Sequence, residues 1–209
     1  MPGPSNLLRA VAAAPIGRLE GRRLLVLLHG YGADEHDLLP VGEVLRGDDA
    51  VVSLRGPAAV GAGASWVDGP PASVPAGAGL APSVQAVLAT LDAIVETAGT
   101  PSAVRLLGFS QGGALALELL RAEPDRFDRV VVLAGFVSAS PSPGDAGLAE
   151  SRPAVFWGRG DADQVIPPDA VARTAAWLDA NAEAVVRVYA GLAHGITPEE
   201  LGDVAAFLV

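Results

Sequence analysis

The chain has 209 residues, 50% of them hydrophobic, and its 24 acidic and 14 basic residues give a net charge of −10 at pH 7. This composition predicts a single folded domain over residues 1–209, and the negative charge argues against a nucleic-acid-binding protein. No run reaches the roughly 18 uninterrupted apolar residues of a membrane span, so we expect no membrane-spanning segment. The absence of cysteine excludes disulfides, thiolate metal sites and a cysteine nucleophile, and it favours a cytoplasmic location.

Short apolar runs alternate with helical patterns along the sequence. Continuous apolar runs are typical of buried parallel strands, and the predicted strands are Leu7–Ala13 at the sheet edge, Arg23–Leu28, Ala50–Leu54, Ala103–Phe109, Arg129–Leu133, Ala154–Trp157 and Ala184–Tyr189. Amphipathic spacing and capping signals predict helices from Pro82 to near Gly99, from Gln111 to about Ala122, from Pro168 to about Ala180, and after the capping box Thr197–Glu200. The segments Arg55–Gly79 and Ser138–Gly147 are predicted loops. The alternation predicts an α/β protein with a mostly parallel sheet and helices on both faces.

Ser110 lies between a predicted strand and a predicted helix. The apolar strand Ala103–Phe109 ends just before it, and the helix begins at Gln111. Gly108 and Gly112 complete the spacing Gly-x-Ser-x-Gly, in which small flanking residues let a sharp turn lift the serine Oγ clear of the backbone. Ser110 is therefore the candidate nucleophile. The competing interpretation is a tight turn that uses serine only for its size.

Polar residues also follow two later strands, at the carboxyl ends where reactive groups gather in open parallel sheets. Asp161 and Asp163 follow Ala154–Trp157, and His194 follows the last strand. A serine nucleophile needs a general base, and that base needs an acceptor at its far ring nitrogen. The order serine, aspartate, histidine matches that of α/β-hydrolases. We favour Asp163 as the acid, with Asp161 as the alternative.

A substrate carbonyl that gains negative charge requires fixed hydrogen-bond donors. The backbone N–H of Gln111, at the start of a helix, is one predicted donor. The second is predicted in the early loop 29–32, whose glycines allow the amide of Tyr31 to turn inward. These donors complete the requirements for an acyl-transfer site.

Four motifs occur in a specific order along the chain. They are Leu28-His29-Gly30-Tyr31-Gly32-Ala33-Asp34, Gly108-Phe109-Ser110-Gln111-Gly112-Gly113, Asp163-Gln164-Val165-Ile166-Pro167 and Gly191-Leu192-Ala193-His194. In this order they resemble the phospholipase/carboxylesterase family, which also contains acyl-protein thioesterases. The resemblance implies an α/β-hydrolase fold without a cap domain. It also implies a serine hydrolase that acts on carboxylic ester or thioester bonds with no metal or other cofactor.

The resemblance also implies roles for individual residues. These are Ser110, Asp163 and His194 as the triad of an acyl-enzyme mechanism, Tyr31 and Gln111 as oxyanion amides, and Trp66 and Ile166 as substrate-binding residues. An aromatic residue such as Trp66 is otherwise most often part of the core. Two positions depart from the family pattern, because Val67 stands where an aromatic residue is common and Arg159 replaces a frequent histidine.

The same residues allow alternatives to a metal-independent hydrolase, namely a metal site or a different function. The cluster His29, Asp34, Glu35, His36 and Asp37 lacks regular ligand spacing and lies in a loop where charges are normally solvated, so we predict no metal site. The expected partner is a small-molecule ester or thioester, with acylated lipids and proteins included. Two other functions stay open: a receptor-like ligand-binding module with little turnover, and an acyltransferase or perhydrolase. The sequence does not indicate an oligomeric state.

Overall fold

A seven-stranded sheet forms the centre of the protein. The computed structural model describes residues 7–68 and 79–209. Its strands are β1 (Ala10–Ala12), β2 (Arg23–Leu28), β3 (Ala50–Leu54), β4 (Ala58–Val60), β5 (Gly63–Ser65), β6 (Ala103–Phe109), β7 (Phe127–Leu133), β8 (Ala154–Gly160) and β9 (Glu183–Tyr189). The order in the sheet is β1-β3-β2-β6-β7-β8-β9, with only β1 antiparallel to its neighbour, and β4 and β5 form a separate hairpin. The predicted mostly parallel sheet, with a short strand at the N-terminal edge, is confirmed.

Helices cover both faces of this sheet, as predicted. They are α1 (Leu39–Leu45), α2 (Ala81–Ala98), α3 (Gln111–Ala122), α4 (Asp145–Ser151), α5 (Pro168–Asn181) and α6 (Pro198–Phe207), with a 3-10 turn at Pro124–Arg126. The apolar residues of α2, α3, α4 and α5 join one core cluster. Those of α1 and α6 join the other, on the opposite face.

Alternation along β2 divides its side chains between the two faces. Leu24, Val26 and Leu28 enter the cluster under α2 and α3. Leu25 and Leu27 enter the cluster under α1 and α6. All five are fully buried, and burial of each such side chain contributes about 1.5–3 kcal/mol. An apolar residue at every position is therefore what a strand in the middle of this sheet requires.

Helix α3 is the most buried helix, with ten of its 12 residues buried. Its first turn packs directly against the sheet, because Gly112 and Gly113 have no side chains where backbone atoms of neighbouring segments come close. A Cβ at Gly112 would lie 2.0 Å from the carbonyl oxygen of Leu28, and a Cβ at Gly113 would lie 3.0 Å from the Cα of Gly135. The residue that precedes this helix, Ser110, is therefore held close to the ends of β2, β6 and β7.

The predicted loop Arg55–Gly79 contains a short β-hairpin in its first part. The hairpin β4–β5 pairs Val60 with Gly63, and it is bonded to the early loop, since Gly32 N–H donates to the Ala64 carbonyl at 2.8 Å. Its short strands of small residues lack the alternation that predicts a strand. Residues 69–78 of this predicted loop lie outside the described residues.

Two helices were not predicted from the sequence. Helices α1 and α4 have seven residues each. The buried residues of α1 are Gly42 and Leu45, and that of α4 is Leu148. So few apolar positions give no recognisable helical period. Strand β8 also continues beyond the predicted end at Trp157 to Gly160, because pairing with β9 overrides the low strand propensity of glycine.

Over the described ranges, 7–68 and 79–209, no inserted cap domain covers the carboxyl edge of the sheet. In the same ranges, none of the helices combines the length and apolar character that crossing a membrane requires.

Glu200 is a buried carboxyl group at the start of α6. Thr197 caps this helix as predicted, since its Oγ1 accepts from the Glu200 N–H at 3.2 Å. The Glu200 carboxyl is fully buried against Gly158, and within the described residues neither of its oxygens has a well-formed hydrogen bond. Burial raises the pKa of Glu200 to about 7, with the Thr197 backbone opposing the shift and Asp203 adding to it.

This carboxyl group should make the protein less stable as the pH rises. The folded pKa lies above the ordinary value, so the stabilisation is present below about pH 4.5 and is lost as the pH rises through about 7. In urea unfolding at pH 5 and pH 8, we expect the free energy of unfolding to fall by about 2 to 3 kcal/mol more in the wild type than in Glu200→Gln.

Glu199→Gln is the matched control, because Glu199 is exposed on the same turn. It should show the wild-type pH dependence. A Glu200→Gln variant whose stability falls as steeply as that of the wild type would show that Glu200 does not titrate in this range.

Candidate active site

Ser110 occupies a strained turn between β6 and α3. Its backbone angles, φ 55° and ψ −115°, lie in a sparsely populated region that costs about 1–3 kcal/mol. A Cβ at Gly108 would lie 2.1 Å from the carbonyl oxygen of Gly112. The Ser110 N–H donates to the Leu133 carbonyl at 2.8 Å, which fastens the turn to β7. The glycine spacing is therefore a packing requirement of this turn.

His194 lies within hydrogen-bond distance of both other residues of the predicted triad. His194 Nε2 is 2.9 Å from Ser110 Oγ, and His194 Nδ1 is 2.7 Å from Asp163 Oδ2. The three residues follow β6, β8 and β9, so the sheet brings together positions that are 84 residues apart in the chain. With the proton on Nδ1 donated to Asp163, Nε2 can accept the serine proton.

The two candidate acids have different partners. Asp163 Oδ1 accepts from the N–H of Val165 at 2.7 Å and of Ile166 at 3.2 Å, while its Oδ2 faces the imidazole. Asp161 Oδ1 instead accepts from the Gly191 N–H at 2.7 Å. Asp161 therefore fastens the loop that carries His194, and Asp163 is the carboxylate in contact with the ring.

The site is largely shielded from water. The side chain of Asp163 is 7% exposed and that of His194 is 18% exposed, and Ser110 is buried. The Phe109 ring lies 4.9 Å from the His194 ring, with the planes tilted by 44°. Attraction between an imidazolium and the Asp163 carboxylate is stronger in such a site than in bulk water.

In the described part of the chain, two backbone amides beside Ser110 have no hydrogen-bond acceptor. Gln111 is the first residue of α3, where helix N–H groups lack an intrahelical acceptor. A Cβ at Gly30 would lie 3.6 Å from the Ser110 Cβ, so the amide of Tyr31 follows a residue that lies beside Ser110. Among the described residues, neither the Tyr31 nor the Gln111 N–H donates a hydrogen bond. These are the two predicted oxyanion donors.

The side chain of Gln111 has a role that the sequence did not indicate. Its Oε1 accepts from the Trp66 N–H at 3.1 Å, and its Nε2 donates to Ser65 Oγ at 3.0 Å. The Trp66 indole N–H donates to the His29 carbonyl at 2.8 Å. These bonds join the turn at Ser110 to the two loops beside it. Contacts across 45 residues leave no local sequence pattern.

The predicted substrate-binding residues lie in different surroundings. Trp66 is 1% exposed and packs against the His29 ring, with ring centres 4.9 Å apart. Its contacts are those of a core residue that supports the early loop. Ile166 lines a cavity of about 230 Å³ together with Asp163, so it lies where a substrate could contact it.

His29 is buried in the early loop with both ring nitrogens engaged. Its Nδ1 donates to the Gly30 carbonyl at 2.7 Å, and its Nε2 accepts from the Gly56 N–H at 3.0 Å. Burial lowers the pKa of His29, and the Gly30 carbonyl only partly opposes this. The ring is therefore neutral and structural, with no lone pair left for a metal or a proton transfer.

The other charged residues of this loop form an ion-pair network. Asp34, Glu35 and His36 each offer one ligand atom within 4.8 Å of the others. Glu35, however, is fully buried and pairs with Arg9 at 2.7 Å and Arg55 at 2.8 Å. Burial raises the pKa of Glu35, but the two arginines and the backbone outweigh it and leave the pKa lowered. The expectation of solvated charges is wrong for Glu35.

Comparison with known proteins extends these observations. Residues 15–209 match the family profile described as Phospholipase/Carboxylesterase. Acyl-protein thioesterase 1 of Saccharomyces cerevisiae is 31% identical over 134 residues, which cover 60% of this chain and 57% of that protein. A probable carboxylesterase of Oryza sativa subsp. japonica is 28% identical over 228 residues, covering 98% of this chain and 84% of that one.

A solved structure has a similar fold over nearly the whole chain. The crystal structure of esterase PE8 matches with a TM-score of 0.76 and 25% identity, over 97% of each chain. The family profile covers nearly the whole described structure, and the α/β-hydrolase fold predicted from the sequence is confirmed. The chain belongs to the phospholipase/carboxylesterase family of hydrolases.

Proposed function

We propose that the protein is a serine hydrolase that cleaves carboxylic ester or thioester bonds through an acyl-enzyme on Ser110. The observation that carries this proposal is the 2.9 Å approach of His194 Nε2 to Ser110 Oγ, with Asp163 2.7 Å from the opposite ring nitrogen. Such an array activates a serine hydroxyl at neutral pH. Relatives named as a thioesterase and a carboxylesterase support the same reaction class.

Acylation begins at the substrate carbonyl carbon. Ser110 Oγ attacks it while the hydroxyl proton passes to His194 Nε2, and Asp163 stabilises the imidazolium. The oxyanion accepts hydrogen bonds from the amides of Tyr31 and Gln111, and one such donor contributes about 10²- to 10³-fold in rate. The C–O or C–S bond then breaks as the imidazolium donates its proton to the leaving alcohol or thiol.

Deacylation repeats these steps with water. His194 Nε2 takes a proton from a water molecule, whose oxygen attacks the acyl carbon of the Ser110 ester. The same two amides hold the second oxyanion. When the bond to Ser110 Oγ breaks, His194 returns the proton to the serine, and the carboxylic acid leaves.

The substrate class and setting complete the proposal. We propose a small-molecule ester or thioester as substrate, with acylated lipids and proteins in the same chemical class. A single domain over residues 1–209 would carry the whole reaction. The absence of cysteine supports a cytoplasmic location.

Turnover of p-nitrophenyl acetate, butyrate and octanoate tests the proposal, with product analysis in water alone and with added alcohol or hydrogen peroxide. We expect many turnovers per enzyme, the free acid as the main product, and a kcat/KM that changes with chain length. Saturable binding without turnover would instead indicate a receptor-like module. A new ester or a peracid as the main product would indicate an acyltransferase or perhydrolase.

A further inference from the structure

The cavity beside Asp163 contains a positive charge as well as apolar surface. It lies between the ends of β7 and β8 and the start of α5, and Arg159 lines it together with Ile166 and Val171. From Asp163, the two hydrogen bonds of His194 lead to Ser110 Oγ. The cavity therefore adjoins the predicted triad on its Asp163 side.

The wall of this cavity is fixed by hydrogen bonds. Ala134 lines it with a left-handed backbone, φ 46°, and its N–H donates to the Gly158 carbonyl at 2.8 Å. The next residue, Gly135, accepts from the Trp157 indole N–H at 3.0 Å. A non-glycine residue keeps positive φ only where its surroundings impose it. The cavity is therefore a preformed part of the fold.

The guanidinium of Arg159 is weakly held. Its Nη1 donates to the Gly160 carbonyl at 3.3 Å, and its central carbon lies 5.5 Å from the Trp157 ring centre. Its buried Nε has no acceptor in the described part of the chain. By contrast, two more deeply buried arginines pair with carboxylates: Arg105 with Asp49 at 3.2 Å, and Arg121 with Asp145 at 2.8 Å.

We propose that this cavity receives a carboxylate carried by the substrate and that Arg159 recognises it. The inference rests on the proposed function, because the cavity adjoins the triad. Nε and one terminal nitrogen of a guanidinium form two parallel donors that match a carboxylate. Nε is shielded in the free protein, so the guanidinium must turn into the cavity, and this breaks the 3.3 Å bond to Gly160 and the contact with the Trp157 ring.

The size and charge of the surroundings favour a short anionic substrate. A volume of about 230 Å³ holds a few methylene groups and one carboxylate, and Ile166 and Val171 offer apolar contact to the methylenes. With a net charge of −10, the protein as a whole repels anions. Asp161 and Asp163 add two carboxylates to the lining, so an anionic ester needs the charge of Arg159 to bind here.

Two matched ester pairs test the proposal. p-Nitrophenyl butyrate and mono-p-nitrophenyl glutarate differ by one carboxylate on the acyl side. Ethyl butyrate and 3-butyryloxypropanoate place it on the alcohol side. In one of the pairs, Arg159→Ala should lower kcat/KM for the anionic ester about 10- to 100-fold more than for the neutral one, because charge-assisted hydrogen bonds are lost. Arg159→Lys should restore part of this preference.

Arg46→Ala is the matched control, since it removes the same charge at the end of α1, outside the cavity lining. It should leave the preference unchanged in both pairs. If Arg159→Ala lowers kcat/KM equally for the neutral and anionic members of both pairs, Arg159 does not recognise a carboxylate.

A binding measurement separates this inference from the proposed reaction. Glutarate should bind Ser110→Ala in calorimetry and should lose that affinity in the Ser110→Ala/Arg159→Ala double variant. If the double variant binds glutarate as tightly as Ser110→Ala does, the inference is overturned even if neutral esters are hydrolysed. If the wild type hydrolyses no ester, binding that depends on Arg159 would still support an anion-binding cavity while the proposed function fails.

Discussion

Ser110→Ala should lower kcat/KM for p-nitrophenyl butyrate by about 10³- to 10⁶-fold, the range found when a triad member is removed. The hydroxyl in contact with His194 Nε2 is then absent, so no acyl-enzyme can form. The fold should persist, because alanine keeps the Cβ and the backbone hydrogen bond to Leu133 stays in place. Steady-state kinetics with circular dichroism on the same samples measure both effects.

Ser151→Ala is the control, because Ser151 is exposed on α4 and its hydroxyl donates to the Gly147 carbonyl at 3.0 Å. It should retain wild-type activity. A fluorophosphonate should label Ser110 in the wild type and in Ser151→Ala. Labelling at another serine, or wild-type turnover by folded Ser110→Ala, would contradict the proposed nucleophile.

The sheet was predictable because its central strands are buried on both faces. The apolar run Arg23–Leu28 has the bounds of β2, and Ala50–Leu54 has those of β3. A continuous apolar run indicates directly that both faces of the strand are buried. Short helices are harder to predict from the sequence. Helices α1 and α4 bury few side chains, and their positions depend on contacts with other elements.

The positions of the predicted triad residues depend on the same sheet. Parallel strands end at one edge, so residues just after β6, β8 and β9 lie along the same edge of the sheet. The loops after β8 and β9 then bring Asp163 and His194 to Ser110. Sequence order alone could not separate Asp161 from Asp163, which are two positions apart after the same strand. The difference depends on how the loop turns, because Val165 and Ile166 donate to Asp163 while Gly191 donates to Asp161.

The hydrogen bonds that support the early loop 29–32 could not be predicted. Gln111 was expected to contribute a backbone amide, but its side chain also bonds to Ser65 and Trp66. Trp66 was expected at the substrate, yet it is buried and bonds to His29. Partners this distant in the chain are set by tertiary packing, and hydrophobic periodicity does not report them.

Asp163→Asn should reduce kcat/KM for p-nitrophenyl butyrate by about 10⁴-fold. An asparagine can keep Oδ1 as the acceptor for Val165 and Ile166, which places its NH₂ group against His194 Nδ1. Nδ1 must then accept a hydrogen bond, so the ring proton moves to Nε2. An Nε2–H facing Ser110 Oγ cannot take the serine proton, and the imidazole is held in the inactive tautomer.

Asp161→Asn is the matched control for this substitution, because the two residues share one loop and the same change of charge. The asparagine Oδ1 can still accept from the Gly191 N–H, so the loop that carries His194 keeps its position. We therefore expect little change in kcat/KM for Asp161→Asn. If Asp161→Asn proved to be the more damaging change, the carboxylate that orients His194 in solution would be Asp161, and the loop after β8 would have to rearrange to bring it there.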